Sequence, residues 1–312
     1  MDIKALADSI LINIEKVIYG KPQKIRLIIA ALLARGHILL DDIPGTGKTS
    51  LAKSLAVSIG GDVKRIQFTP DLLPSDVVGI NFYSQKESDF VFRPGPIFSN
   101  VIIADEINRT TPRTQSALLE AMEERQVTID GVTYPLAEPF IVIATQNPIE
   151  SQGTFPLPEA QIDRFFMKLS LGYPDFSDEK AILTGHVSES PLKQLSAVCS
   201  IADIIEAQNQ VREVHSSDRI NDYIIKISTA TRESDRIRLG VSPRASLALL
   251  HAAQSWAAIS GRDYIIPDDV KAVATPVLAH RIISASQSSL RVTEATENII
   301  DYIVDSVPVP VE

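Results

Sequence analysis

The segment that most constrains the fold lies near the amino terminus, where an apolar run leads through a glycine-containing loop into a helix. The run HILL at residues 37–40 is followed by DDIPGTGKT at residues 41–49, and a helical pattern extends over Thr49–Ile59. Backbone amide groups at the start of a helix point at an anion, and the helix dipole favours negative charge there. A strand, such a loop and a helix in this order predict a phosphate-binding loop.

The side chains of this loop are of the types that a nucleotide requires. Gly45 and Gly47 allow the backbone to wrap closely around phosphate oxygens. Lys48 can reach the β- and γ-phosphates, and the Thr49 hydroxyl suits Mg²⁺. The loop departs from the pattern G-x-x-x-x-G-K-[ST] at one position, because Asp42 stands where the pattern has its first glycine. We therefore expect ATP and Mg²⁺ as the bound groups.

The first half of the chain alternates short β-rich runs with helical patterns, which is typical of a parallel α/β sheet with helices on both faces. After Pro174 the strand signal stops and helical patterns continue to the end. We predict an α/β domain over residues 1–174 and an all-helical domain over residues 175–312. The predicted strands are His37–Leu40, Val63–Phe68, Val101–Ala104, Phe140–Thr145 and Phe165–Leu171. The predicted helices of the second domain are Asp178–Val187, Ile201–Val214, Asp218–Glu233, Pro243–Ile259, Asp268–Ile283 and Thr293–Ile303.

Composition narrows the classes of function. The chain has 30 basic and 39 acidic residues, a net charge of −9, which disfavours a sequence-independent grip on nucleic acid or an anionic membrane. No apolar stretch approaches the roughly 18 residues of a membrane span. The single cysteine, Cys199, fits a reducing compartment, so we expect a cytoplasmic protein. The first 20 residues predict an amphipathic helix rather than a signal peptide.

Polar side chains follow two further strands of the predicted sheet. Asp105 and Glu106 end the run VIIADE, and Asn147 follows the run ending in ATQ. The carboxyl ends of parallel strands meet at the edge where ligands bind. We predict that Asp105 helps to hold Mg²⁺, that Glu106 is the general base for an attacking water, and that Asn147 orients this water or touches the γ-phosphate.

Two hairpins are predicted outside the main strands. The segment Glu124–Leu136 alternates apolar and polar residues around Asp130-Gly131, which is a strong hairpin signal. A second candidate, without such a turn, is Ile80–Phe92. The simplest alternative is that both segments are ordinary edge strands of the sheet.

Together with these motifs, four segments resemble the MoxR family of AAA+ ATPases. They are FTPDLLPSD at 68–76, RPGPIF at 93–98, ADEINRTTPRTQSALLEAMEERQVTIDG at 104–131 and ATQNPIESQGTFPLPEAQIDRF at 144–165. The resemblance covers most of residues 20–174 and is looser in the helical part, where SPRA at 242–245 matches.

The resemblance implies roles for individual residues. Asn147 resembles sensor 1, Arg164 the arginine finger that reaches a neighbouring subunit, and Arg244 sensor 2, which would reach the γ-phosphate of its own subunit when the helical domain closes. The run IYGK at 18–21 resembles the segment beside the adenine. The two hairpins occupy positions that face the channel of a ring in the family. The nucleotide-binding residues are then Tyr19, Gly20, Pro44, Gly45, Thr46, Gly47, Lys48, Thr49 and Ser50, with Thr49 and Asp105 for the metal.

Three functions compete at this point. The leading one, implied by the resemblance, is a ring-forming chaperone, hexameric by family habit, that remodels or matures a client protein. Such clients often carry a von Willebrand factor A domain or receive a metal cofactor. A DNA-dependent motor is the first alternative, although the hairpin over residues 80–92 carries Glu87 and Asp89 beside Lys86. A nucleotide-switched binding module is the second, disfavoured by the presence of Glu106 and Arg164.

Overall fold

The computed structural model describes residues 1–42, 45–146, 154–185, 191–285 and 292–310, so the predicted site residues Pro44 and Asn147 lie outside the described residues. The strands are β1 Ile38–Asp41, β2 Val63–Gln67, β3 Gly79–Ser84, β4 Asp89–Pro94, β5 Val101–Asp105, β6 Gln126–Ile129, β7 Val132–Pro135, β8 Ile141–Gln146, β9 Met167–Leu169, β10 Ile237–Leu239 and β11 Ile283–Ser284. The helices are α1 Ile3–Glu15, α2 Pro22–Leu33, α3 Lys48–Ser58, α4 Pro74–Val78, α5 Pro112–Glu124, α6 Glu159–Ile162, α7 Phe176–Gly185, α8 Ile201–Val211, α9 Asp218–Glu233, α10 Pro243–Ile259, α11 Pro267–Leu278 and α12 Val292–Ser306.

The central sheet is parallel, as predicted, and within the described residues its strand order is β2-β5-β8-β1-β9. Strand β5 is buried along its whole length because other strands flank it and both faces are covered. Strand β2 lies at an edge, and Ile66 is its one buried residue. The predicted strands are all present. Strand β9 is shorter than predicted because Phe165 still belongs to a turn, its N–H donating to the Ile162 oxygen.

Helices cover both faces of the sheet. Alternate residues of β5 belong to different hydrophobic clusters: Ile103 lies in one, and Ile102 and Ala104 lie in the other. The first cluster also contains Ile28 of α2 and Leu249 of α10. The helical part of the chain therefore shares a core with one face of the sheet, and its separation from the α/β part at residue 174 stays a prediction.

The predicted helical character of the second half of the chain is confirmed in outline, with two corrections. Strands do not cease after Pro174, because β10 and β11 pair as a small antiparallel sheet. Segments of three and two residues are too short to show a period in the sequence. Helix α11 also ends at Leu278, earlier than predicted, shortly after Pro276, which lacks the N–H that would continue the ladder. None of the described helices has the length and apolar character that a membrane crossing requires.

Both predicted hairpins are present, and they lie outside the main sheet. The pairs β3–β4 and β6–β7 are separate two-stranded sheets, so the alternative of ordinary edge strands is wrong. Asp130 and Gly131 have φ values of +49° and +81°, as a tight turn of this type requires. The hairpins contact each other, since the rings of Phe92 and Tyr134 stack with centroids 4.2 Å apart. The Asn81 amide also donates to the Asp130 carboxylate at 2.8 Å.

The start of β1 depends on a buried neutral histidine, which gives the fold a pH dependence. Nδ1 of His37 accepts a hydrogen bond from the Val142 N–H at 3.0 Å, so Nε2 carries the proton and donates to the Met122 oxygen, also at 3.0 Å. Burial, together with the nearby Arg125 guanidinium, lowers the pKa of His37 from 6.5 to about 3. Only the unfolded chain binds this proton between those pH values.

We therefore expect the free energy of unfolding to fall as the pH drops from 6.5 toward 3, with a slope that approaches about 1.4 kcal/mol per pH unit for this histidine. The melting temperature measured from pH 7.5 to pH 5 should follow this trend. His37→Gln should be less stable at pH 7.5 and should have a flatter pH dependence. Phe140→Leu, which alters the ring packed against His37, should lower stability and keep the slope. A wild-type slope in His37→Gln would contradict this account.

Candidate active site

The phosphate loop has the predicted backbone conformation at its two glycines. Gly45 and Gly47 have φ values of +90° and +86°, in the left-handed region that residues with a Cβ rarely adopt. Helix α3 begins at Lys48, directly after Gly47, so the amide groups of its first turn are available to an anion. The Lys48 ammonium donates to the backbone oxygen of Asp42 at 2.7 Å, which lays this side chain along the loop.

The carboxylates that follow β5 share a cavity with the phosphate loop. Asp105 is buried, whereas Glu106 is partly exposed. The parallel strands β1, β5 and β8 all end at this edge, and their last residues or the residues that follow them form the walls. The cavity is lined by Gly45, Lys48, Thr49, Arg65, Gln67, Asp105, Glu106, Thr145 and Gln146. The structure thus brings together the predicted phosphate-binding, metal-binding and general-base residues.

The donor set of this cavity fits Mg²⁺. Thr49 offers a hydroxyl and Asp105 a carboxylate, and Mg²⁺ in nucleotide sites takes few protein ligands besides water and phosphate oxygens. The Asp105 carboxylate already pairs with one cationic side chain, since Nε of Arg65 donates a hydrogen bond to its Oδ2 at 2.5 Å. Among the described residues no group of three or more His, Cys, Asp or Glu could hold a metal ion. Thr49 and Asp105 are the residues that would hold the ion beside phosphate oxygens.

Glu106 is held in an uncommon conformation. Its φ of +56° lies in the left-handed region, which costs a residue other than glycine about 1–3 kcal/mol. The Thr145 hydroxyl oxygen accepts from the Glu106 N–H at 2.9 Å. The Glu106 carboxylate accepts hydrogen bonds from Gln67 at 2.8 Å and from Arg109 at 2.9 Å. The surrounding residues therefore fix the direction in which this carboxylate points.

Sequence reasoning did not assign a role to Arg65, Gln67, Thr145 and Gln146, which line this cavity, or to Arg109, which pairs with Glu106. Arg65 and Gln67 are two residues apart on β2, so they lie on the same face of the strand, and they are joined by a 2.9 Å hydrogen bond. This alternation was visible in the sequence. The sequence did not show that β2 lies beside β5, because the strand order is set by the fold.

A second cavity adjoins the first and shares Gly45 with it. It is lined mostly by apolar residues and contains the predicted Tyr19, Thr46, Gly47 and Ser50, as a pocket for a nucleotide base would. Its lining is Val17, Ile18, Tyr19, Lys21, Gly45, Thr46, Gly47, Ser50, Leu171, Gly172, Pro174, Ile182, Pro191 and Leu192. Gly20 has φ +67°, and a Cβ there would lie 1.7 Å from Oδ2 of Asp178. Gly20 therefore lets the chain turn beside α7.

Arg164 and Arg244 lie together, and both lie away from these cavities. Nε of Arg164 is 3.2 Å from one carboxylate oxygen of Glu123, and Nη1 of Arg244 is 3.0 Å from the other. They share a surface cleft with Gly36 and His37, which precede β1. This is the amino-terminal edge of the sheet, opposite to the phosphate loop. The structure does not bring Arg244 to the nucleotide cavity of its own subunit.

The helical part is fastened to this same edge. The Arg281 guanidinium is buried and pairs with the Asp163 carboxylate at 2.7 Å. It also donates to the backbone oxygens of Phe165 and Phe166. Burial lowers the pKa of Arg281 to about 10, while the Asp163 charge opposes this shift, so the group remains a cation at neutral pH. Arg281 therefore ties the segment that carries Arg164 to the helices that carry Arg244.

Comparisons with known proteins agree with this geometry. The sequence pattern of the family described as ATPase family associated with various cellular activities (AAA) matches residues 37–167. The pattern of the AAA lid domain matches residues 229–301. The first range contains the phosphate loop, Asp105, Glu106 and Arg164, and the second contains Arg244.

Similar proteins extend over nearly the whole chain. The uncharacterized protein YeaC of Bacillus subtilis is 49% identical, covering 100% of this chain and 97% of YeaC. Chaperone MoxR1 of Mycobacterium tuberculosis is 38% identical over 96% of this chain and 81% of that protein. Protein MoxR of Paracoccus denitrificans is 31% identical over 94% and 93%. A crystal structure of a candidate ATPase from Cytophaga hutchinsonii superposes with a TM-score of 0.89, at 39% identity and over 99% and 96% of the two chains. The chain therefore belongs to the MoxR family of AAA+ proteins and is an ATPase.

Proposed function

We propose that this ATPase forms a homo-oligomeric ring, hexameric by the habit of its family, and uses hydrolysis to remodel a client protein. The observation that carries the proposal is the position of Arg164 and Arg244. Both contact Glu123 at the edge opposite to the phosphate loop. Arginines at that edge have a nucleotide to serve only when another subunit presents one. The active site would then be completed between subunits.

Within one subunit, the residues of the cavity divide the chemistry. The amide groups of α3 and the Lys48 ammonium hold the β- and γ-phosphates of ATP. Glu106 takes a proton from the attacking water, whose oxygen bonds to the γ-phosphorus while the bond to the ADP oxygen breaks. To reach this water, Glu106 exchanges one of its present contacts, and Asn147 orients the water. Mg²⁺, held by Thr49 and Asp105, would neutralise charge on the phosphate oxygens.

The neighbouring subunit would supply the remaining positive charge. In the transition state, charge spreads over the oxygens of the transferred phosphoryl group, and an arginine that stabilises it can be worth about 10³–10⁵ in rate. We assign this role to Arg164, with Arg244 beside it as a second cation that reads the same γ-phosphate. Because Arg281 joins their two segments, both would move as one unit relative to the neighbour.

The client would be recognised as a protein. The similarity to a protein named Chaperone MoxR1 supports this, as do large apolar side chains that the β3–β4 hairpin leaves in solvent. Phe82, Tyr83 and Phe90 are 45%, 55% and 68% exposed, and exposed apolar groups of this kind mark protein contacts. We propose that this hairpin contacts the client from the ring channel. A von Willebrand factor A domain, or a protein that awaits a metal cofactor or an assembly partner, is the client we expect.

The DNA-dependent motor is not favoured. The net charge is −9, and the turn between β3 and β4 carries Glu87 beside Lys86, so the hairpin offers no basic tip for a phosphate backbone. A cytoplasmic location forms part of the proposal, supported by the free thiol of Cys199.

Substitutions in the phosphate-loop cavity should separate ATP binding from hydrolysis. Glu106→Gln should bind ATP and lose hydrolysis by at least about a hundredfold, because the amide cannot accept the proton. In the ATP-bound form it should retain a client protein in pull-downs from the source cell. Lys48→Ala, the matched control, should bind neither ATP nor this client. Equal client capture by the two variants would contradict a nucleotide-driven chaperone, and normal hydrolysis by Glu106→Gln would contradict the assigned base.

Mixing variants tests from which subunit the arginines act. Arg164→Ala and Arg244→Ala should each bind ATP and hydrolyse it poorly. Each should recover activity when mixed with Lys48→Ala, because the Lys48 variant cannot bind ATP but still presents intact arginines to its neighbour. ATPase rates and mixed-ring formation should be measured together. If rings mix and the Arg164 variant recovers while the Arg244 variant does not, Arg244 serves its own subunit, contrary to our proposal.

A further inference from the structure

The departure from the phosphate-loop pattern, Asp42, has a defined set of partners. Its side chain is buried, with 4% of the residue exposed. Oδ1 accepts from the Ser170 hydroxyl at 2.8 Å and from the Gly172 N–H at 3.0 Å, and Oδ2 accepts from the Leu171 N–H at 2.7 Å. The pattern glycine could make none of these hydrogen bonds.

The partner segment, residues 170–172, forms part of the wall of the second cavity, the proposed pocket for the nucleotide base, which we call the base cavity. It directly follows β9, and both Leu171 and Gly172 line the cavity together with Ile18 and Tyr19. Gly172 has φ +65°, so the chain turns sharply at this point. The Asp42 carboxylate therefore fixes the position of this wall relative to the loop that begins at Asp42 itself.

The same residue also contacts the phosphate-binding lysine. The backbone oxygen of Asp42 accepts from the Lys48 ammonium at 2.7 Å. One residue thus holds the lysine by its main chain and the base wall by its side chain. We propose that Asp42 is a positioning residue that couples the base cavity to the phosphate loop, so that a nucleotide binds as one unit. This inference rests on the proposed nucleotide site.

The coupling predicts different losses for ligands with and without a base. ADP contacts both cavities, whereas inorganic tripolyphosphate contacts only the phosphate loop. Asp42→Asn keeps the shape of the side chain, but its NH₂ group would face an N–H or O–H donor of residues 170–172. Asp42→Gly restores the pattern glycine and removes both side-chain acceptors, while the backbone oxygen that accepts from Lys48 remains. In both variants residues 170–172 lose hydrogen bonds to the side chain at position 42, while the amide groups of α3 and the Lys48 side chain remain.

The experiment is calorimetric titration of the full-length protein with ADP and, separately, with tripolyphosphate. Asp42→Asn and Asp42→Gly should weaken ADP binding by about tenfold or more, since hydrogen bonds to a charged group are lost, and should leave tripolyphosphate affinity nearly unchanged. Ser170→Ala removes one donor and keeps the two backbone amides. It should shift the ADP affinity in the same direction by a smaller factor, and it decides the matter if the Asp42 variants do not fold.

Three results would overturn the coupling. They are equal losses for ADP and tripolyphosphate, which would confine Asp42 to the shape of the loop, unchanged ADP affinity in the folded Asp42 variants, and full ADP affinity in Ser170→Ala when those variants do not fold. Failure of the proposed nucleotide site would appear elsewhere, as unchanged binding of both ligands to Lys48→Ala.

Discussion

The parallel sheet separates two groups of charged residues to which we assign different parts in hydrolysis. Every strand of the main sheet runs in one direction, so groups that follow strands and groups that precede them lie at opposite edges. A strand of five residues such as β5 spans roughly 17 Å, farther than an arginine side chain extends. The phosphate loop, Asp105 and Glu106 occupy one edge, and Arg164 and Arg244 occupy the other. If each edge serves a different nucleotide, as we propose, one subunit contributes to two sites, and a ring of subunits would complete them.

Ion pairs hold each charged group in place before a nucleotide or a neighbour arrives. Arg65 pairs with Asp105 and Arg109 with Glu106, while Glu123 receives both arginines of the opposite edge. Both partners are partly exposed in the pairs of Arg109, Arg164 and Arg244, and such ion pairs contribute only about 0–1 kcal/mol. In the Arg65–Asp105 pair the carboxylate is buried. In our proposal, Mg²⁺, phosphate and an adjacent subunit replace these contacts when the site assembles. The pairs keep the side chains near their working positions without blocking the site.

Local patterns predicted the elements and the motif residues, and long-range packing decided the rest. Gly45, Gly47 and the Asp130-Gly131 turn were predictable because their backbone conformations depend on the residues themselves. Arg65 escaped notice because its importance comes from the neighbour of β2, which no short pattern specifies. The prediction for Arg244 followed the habit of a lid that closes over its own nucleotide. In the structure Arg244 pairs with Glu123 at the other edge, and its role stays a proposal. The buried Arg281–Asp163 pair, formed by residues distant in the chain, holds the helices at this edge, and no short pattern specifies such a pair.

The central claim is that the two edges of one sheet serve two different nucleotides. The most direct test is a structure of the assembled protein with Mg²⁺ and a slowly hydrolysed ATP analogue, in which distances are measured from each guanidinium to each γ-phosphate. We predict that Arg164 and Arg244 lie within hydrogen-bonding distance of the γ-phosphate in the adjacent subunit and on the far side of the sheet from their own. Contact between Arg244 and the γ-phosphate of its own subunit would contradict the claim.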